Sequence, residues 1–411
     1  MRISFCRLLS VALLLIAAAG CAKQYETAII EDSNPQTGGQ FAGLAGALEK
    51  NSSIGAFWTH GMCSHDDGWV NKRSNLLREV LSAEMTEIGP QPAAYSKTDD
   101  EPRDAYVRSH RFVAAGKTLD VRFMVWSPLT KPYKANLYFD APQSKDHPKG
   151  EFPYERAKLN GQLKVGLMND CLVDAVVYSG PNGNSIREAM RKAVCGAMGG
   201  QLEGEDFCRF PDALPNTPLI FVSESLGSKF LLDALRALRN SADQKSRSGL
   251  PSQLQAFDAR LADLQIMFML ANQVPLLDQA DGDKATPSQA GRGSVYSLLD
   301  MRNAATTNMQ IMSRRPPTRE PLLIVAFTDP NDLLSYRLDL KKLHNVQSSN
   351  TRLINVISSN AGTLLGYVEH PADAHCGYEW NHEVVDILVN GYDGKPRGKP
   401  KKRDAAGECF D

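Results

Sequence analysis

Ser225 lies in Ser223-Glu224-Ser225-Leu226-Gly227, between the apolar run Leu219-Ile220-Phe221-Val222 and a stretch with Phe230, Leu231, Ala234, Leu235 and Leu238 at helical spacing. The continuous apolar run predicts a parallel strand covered on both faces. The second pattern predicts a helix with one buried stripe. Only one sharp turn fits between them. A strand that turns abruptly into a helix lifts the turn residue above the sheet, beside the positive end of the helix. A serine hydroxyl held there is suited to attack an electrophilic carbon, provided a base, an orienting acid and oxyanion donors lie nearby. Acids and imidazoles are on hand further along: Asp329 and Asp332 follow the apolar run 322–327, and His370, His375 and His382 follow the run 353–357.

The elements that must position these groups alternate between strand and helix patterns. Residues 54–58 predict a strand that opens into Thr59-His60-Gly61-Met62, and Leu76, Leu77, Val80 and Leu81 mark one face of a following helix. Leu119, Val121, Phe123 and Val125 alternate as a strand should. Residues 127–170 are rich in Pro, Lys and Tyr and read as an insertion above the sheet edge. The stretch 172–178 and a helix over 185–194 lead back to the Ser225 strand; Asp174 and Tyr178 read as structural. Residues 264–270 predict another buried strand, with Met267 and Met269 as core filling and Asn272-Gln273 at the site rim. Residues 278–320 read as a second insertion, a cap or a loop, with one amphipathic piece over 295–301. A helix over 383–389 closes the series. This interleaving predicts an α/β fold with a doubly wound, mostly parallel sheet.

Ser-x-Ser-x-Gly, the early His60-Gly61 step and the later Asp and His together resemble the α/β-hydrolase superfamily, in the order Ser, Asp, His that sets that fold apart from other serine hydrolases. The resemblance covers roughly residues 50–392. It implies a Ser-Asp-His triad of Ser225, Asp332 and His375, with Asp329, His370 and His382 as alternatives for acid and base. It also implies an oxyanion hole built from the Met62 and Leu226 N–H groups. His60, Gly61 and Gly227 would shape the site, the glycines because only a residue without Cβ lets backbones approach closely. Ser223 departs from the usual first glycine; serine is the next smallest polar residue. The activity implied is hydrolysis of carboxylic esters, in the manner of an esterase or lipase on small-molecule or lipid esters. Transfer of the acyl group to another acceptor would use the same residues. A non-catalytic envelope lipoprotein that binds a partner with this fold is the third reading.

The ends of the chain carry a different signal. Met1-Arg2 and Arg7, an apolar run over 8–19 and then Ala18-Ala19-Gly20-Cys21 resemble a bacterial lipoprotein signal over residues 1–21, with lipid on Cys21. Such a chain is exported and anchored to a membrane of the cell envelope, with the outer membrane favoured and a periplasmic protein as the alternative. Residues 22–50 read as a polar linker, 51–392 as the catalytic domain and 393–411 as a basic, solvated tail. Of eight cysteines, Cys6 would be removed and Cys21 modified; the six left (Cys63, Cys171, Cys195, Cys208, Cys376 and Cys409) suit disulfides in an exported protein. Cys195 and Cys208 bracket a glycine-rich loop and make the best local pair. A net charge of −1 over 411 residues gives no sign of a nucleic-acid partner. His60, His65, Asp66 and Asp67 cluster on an irregular turn without metal-ligand spacing, so no metal and no cofactor are expected.

Overall fold

A computed structural model describes residues 25, 27–89, 104–143, 150–280, 293–312, 321–344, 350–363 and 368–395. Its centre is a nine-stranded mixed sheet. In chain order the strands are β1 (Ile29–Asp32), β2 (Ser53–Thr59), β3 (Glu84–Glu87), β4 (Tyr106–Ala114), β5 (Lys117–Val125), β6 (Gln201–Glu203), β7 (Phe207–Arg209), β8 (Leu219–Glu224), β9 (Leu264–Leu270), β10 (Leu322–Thr328) and β11 (Thr351–Ile357). The large sheet runs β1-β11-β10-β9-β8-β2-β5-β4-β3, and β6-β7 form a separate small hairpin. Pairing is parallel from β11 through β5 and antiparallel at both margins, where β1 joins β11 and β4 joins β5.

Each central strand feeds two cores, as period-two geometry requires. On β8, Leu219 and Phe221 point to one core and Ile220 and Val222 to the other. On β10, Leu322, Ile324 and Ala326 face the first, and Leu323, Val325 and Phe327 the second. The first core is closed by helices Asn184–Ala197, Leu226–Arg247, Pro251–Ala262 and Ser294–Met312, through side chains such as Ile186, Phe230, Phe257 and Leu298. The second is closed by helices Leu44–Lys50, Asp67–Val80 and His382–Asn390, through Leu44, Trp69, Leu77 and Ile387. The expected α/β architecture with a mostly parallel sheet covered on both faces is therefore present.

Two expectations need correction. Residues 29–50 are not a linker: β1 pairs antiparallel with β11, and Leu44 and Leu48 are buried. Four residues of strand and seven of helix are too short to display a period, and β1 draws its hold from its neighbours, including the Arg352–Asp32 ion pair. The piece over 295–301 is not a cap. It belongs to helix Ser294–Met312, which packs on helices Leu226–Arg247 and Pro251–Ala262 with Leu298 and Leu299 fully buried. The 127–170 insertion contains short helices and runs into a wide helical turn, Leu163–Leu172, and a regular one, Val173–Ser179. Residues 1–24 (with Cys21), 281–292, 313–320 and 396–411 lie outside the described residues. Among the described residues no helix is long and apolar enough to cross a membrane.

Two disulfides are described: Cys195–Cys208, as expected, and Cys63–Cys171. Cys376 is also disulfide-bonded. Cys195 and Cys208 are wholly buried where helix Asn184–Ala197 meets the β6-β7 hairpin. Closing their short loop restricts the unfolded chain. Replacing both by alanine should lower stability by about 2–3 kcal/mol in urea denaturation under non-reducing conditions, with an m-value that rises or holds because the uncrosslinked chain unfolds to a less compact state.

Candidate functional site

The loops that follow β2 and β8 meet because those strands are paired in parallel, with Thr59 opposite Ser223. At the end of β8 the chain reverses at Ser225, whose φ of 51° and ψ of −123° are rare for a residue with a Cβ. Such a conformation costs roughly 1–3 kcal/mol and persists only where the surroundings impose it. Here they do. Ser225 N–H donates to the Leu270 carbonyl, and helix Leu226–Arg247 starts at the next residue. A Cβ on Gly227 would lie 2.4 Å from the His60 carbonyl oxygen, and one on Gly61 would lie 2.6 Å from the Ser225 Cβ. Both positions therefore require glycine. Ser223 stands in for the first glycine without exposing its hydroxyl, which pairs with Ser228 Oγ at 2.9 Å and donates to the Phe268 carbonyl.

Ser225 Oγ lies 3.0 Å from His375 Nε2, and His375 Nδ1 lies 2.9 Å from both oxygens of Asp332. Asp332 also accepts from Leu334 N–H and from the Tyr378 hydroxyl. Burial alone would raise the Asp332 carboxyl, but His375 and these donors hold it below the usual carboxylate range. An ionised Asp332 has no proton to give, so Nδ1–H is the donor and the Nε2 lone pair faces the Ser225 hydroxyl. Among the expected alternatives, Asp329 is turned away. It accepts from the N–H groups of Asn331 and Asn360, capping the turn, and its own N–H donates to Tyr378. His370 caps helix Pro371–Cys376 and sits 4.0 Å from Asp373, while His382 opens helix His382–Asn390. His375 itself is helical, one turn into Pro371–Cys376.

The loop 60–65 is fixed from several sides. His60 is wholly buried and stacked on Trp126. Its Nε2 accepts from the Trp126 N–H at 3.0 Å, so its Nδ1–H donates to the Gly61 carbonyl at 2.8 Å. Burial drives its pKa well below the ordinary value, so it stays neutral. His65, pushed down to about 4 chiefly by burial, pairs through Nε2 with the Met62 carbonyl. These rings position the backbone at Met62; the His60 Nε2 lone pair is already occupied. Cys63 has φ 79° and is held by its disulfide to Cys171 and by its N–H donating to Asp174. Ser64 N–H donates to Asp170. Lys134, 1% exposed, lies 3.1 Å from both Asp170 and Asp174. Burial raises Asp174 to about 7 against the pull of Lys134, whereas the half-buried Asp170 is held low by Lys134 and Ser64. Leu226 is the first residue of its helix, so its N–H has no acceptor within that helix. Among the described residues the one metal-type cluster, Cys63, Asp170 and Cys171, has its two sulfurs joined to each other and offers no thiolate.

Two features were not anticipated from the chain. Glu224, inside the turn motif, receives a bidentate pair from Arg73 at 2.7 and 2.9 Å and N–H bonds from Trp58 and Trp69. Lys134 is another, since its two acids one helical turn apart gave no hint of a partner in the insertion. Gln273, expected at the site rim, lies beside the base, its amide nitrogen 3.4 Å from His375 Nε2. Burial opposes ionisation of Glu224, but Arg73, His65 and the Trp58 N–H outweigh it and depress its pKa from 4.5. A depressed carboxylate adds stability that is present above its unfolded pKa and lost as pH falls through its folded pKa. Glu224→Gln should therefore be less stable at pH 7 by about 3 kcal/mol. Its stability should also fall less steeply than the parent's below pH 4.5, which denaturation midpoints across pH would measure. No protein-family model and no curated protein matches the chain.

Proposed function

We propose that the protein is a serine hydrolase of the α/β-hydrolase type that cleaves carboxylic esters through Ser225, His375 and Asp332. The observation that carries this reading is the unbroken chain of contacts from the Ser225 hydroxyl through both nitrogens of His375 to Asp332, with Ser225 held at positive φ. A base next to a hydroxyl, itself oriented by an ionised acid, is what nucleophilic catalysis by serine needs. In this reading His375 Nε2 takes the Ser225 proton as Oγ bonds to the ester carbonyl carbon. The carbonyl electron pair moves onto oxygen, where the Met62 and Leu226 N–H groups receive it. Collapse expels the alcohol, which takes the proton from Nε2. Water then repeats the cycle on the acyl-enzyme and restores Ser225.

Transfer of the acyl group to an acceptor other than water is a second reading, favoured by one feature. Ser225 and His375 are only 5% and 8% exposed, so the site is screened from bulk solvent. The Gly20-Cys21 step supports export and lipid anchoring in the cell envelope, which suits an envelope or lipid ester as substrate.

A fluorophosphonate probe should label Ser225 in the folded protein, and Ser225→Ala should abolish labelling. Either Ser225→Ala or His375→Ala should lower kcat for a short p-nitrophenyl ester by roughly 10⁴-fold or more. Full hydrolysis by Ser225→Ala would refute the mechanism, and a folded parent that the probe does not label would favour the non-catalytic binding reading.

A further inference from the structure

We propose that Gln273 is a catalytic residue that holds the oxygen exchanging a proton with His375: the leaving alcohol during acylation and the attacking water during deacylation. The proposal rests on the serine-hydrolase reading above and assigns a group for the one reacting atom that the triad and the two backbone N–H groups leave unheld.

Gln273 is 2% exposed and follows β9 by way of Ala271, whose φ is 51°. The neighbouring Asn272 clamps the turn. Its Nδ2 donates to the Tyr336 carbonyl, its own carbonyl accepts from Tyr336 N–H, and its Oδ1 accepts from Val274 N–H. With the backbone fixed, the Gln273 amide nitrogen reaches 3.4 Å from His375 Nε2 and 3.8 Å from the Met62 sulfur. It thus spans the gap between the base and the loop that carries the Met62 N–H.

That placement is hard to explain as packing. With Nδ1–H directed to Asp332, His375 Nε2 has a single lone pair, and the Ser225 hydroxyl occupies it at 3.0 Å. The Gln273 amide is a second donor for the same lone pair at a longer distance, so its hydrogens are poorly served in the resting site. A buried donor without a good acceptor is unfavourable. A hydroxyl oxygen arriving beside Nε2 removes the conflict. It offers its hydrogen to Nε2 and a lone pair to the Gln273 NH₂ group.

In deacylation the water oxygen bonds to the acyl carbon while its proton passes to Nε2, and the carbonyl electron pair moves onto the oxyanion. The acyl carbon–Oγ bond then breaks, and Nε2 returns the proton to Ser225. Gln273 holds the lone pair of the water that is not used in bond formation. In acylation by an alkyl ester it holds the departing alcohol oxygen in the same place. A p-nitrophenolate leaves as a stable anion without needing that proton, so acylation by a p-nitrophenyl ester bypasses Gln273.

Rapid-mixing kinetics with p-nitrophenyl acetate on the full exported chain separate the two steps. Gln273→Met keeps the length of the side chain and its packing on Met62 while removing the amide. The burst of acylation should stay within about 3-fold of the parent, while deacylation should fall about 10- to 100-fold, as expected for losing one hydrogen bond to a reacting oxygen. An alkyl ester should lose acylation as well. Equal losses in burst and steady state, or unchanged deacylation, would overturn the assignment. Parent-like fluorophosphonate labelling shows that the variant is folded, and Gln273→Asn, whose amide is too short to reach, should give the same pattern if the Met variant fails to fold. Full turnover by Ser225→Ala would instead defeat the hydrolase reading itself, whatever Gln273 does.

Discussion

Two backbones approach so closely beyond the ends of β2 and β8 that neither Gly61 nor Gly227 has space for a methyl group. Much of the site follows from this contact. It presses the loop carrying Met62 against the turn carrying Ser225, and it exists only because β2 and β8 are adjacent and parallel. Parallel strands deliver their following loops to the same edge of a sheet. The strands β8, β10 and β11 therefore release Ser225, Asp332 and the chain leading to His375 on one side, although these residues are far apart in sequence. Strain at Ser225 is sustained because the elements on both sides of it are buried and hydrogen-bonded: β8 before it and a long helix after it.

The buried charges around this edge are each compensated differently, and the differences separate their roles. Asp332 is held ionised by an imidazole, a backbone N–H and a phenol, a set that orients His375. Glu224 is held ionised by Arg73 and two indole N–H groups, none of which reaches Ser225; its part is to fix the turn. Asp329 and Glu369 are both pushed up, first by burial and then by nearby carboxylate charge, and they bind loop N–H and amide groups. Among the described residues only Asp332 combines a depressed pKa with contact to a histidine that touches a hydroxyl. Electrostatics and geometry thus select the same acid out of several close neighbours.

What the chain disclosed in advance was set by burial. Strands β2, β8, β9, β10 and β11 are covered on two faces, so they appear as mainly apolar runs with sharp ends, while β5, partly exposed on one face, appears as an alternation; the residues at those ends could be placed. Helix Asp67–Val80 and helix His382–Asn390 were visible for the same reason. The margins were not. β1, β3 and β4 are half exposed, and Glu84–Glu87 with its burial pattern of mostly exposed residues carries no periodic signal at all. Asp332 was separable from Asp329 by its distance past β10, but the reason Asp329 fails, its engagement by Asn331 and Asn360, depends on a loop about thirty residues later. Lys134 and Arg73 were opaque because each acts through a partner from a remote element. No local pattern marks a lysine that ends up 1% exposed between two aspartates.

The loop 60–65 shows why such remote partners matter. Its backbone has no regular secondary structure and includes a non-glycine residue at positive φ, so nothing local would hold Met62 in place. Instead, His60 and His65 each accept or donate at fixed nitrogens, Cys171 supplies a covalent tie, and Asp170 and Asp174 receive successive N–H groups. The ties to Cys63 and Ser64 come from residues 170–174, the end of the 127–170 stretch and the start of the helix that follows it. That segment is therefore not an ornament on the sheet edge. It is the frame against which the loop is set, and its buried Lys134 keeps two neighbouring carboxylates together where repulsion would otherwise part them. A preorganised pair of N–H groups is useful only if it cannot relax when charge develops in front of it. In this chain, rigidity at Met62 is supplied by the insertion as much as by the sheet.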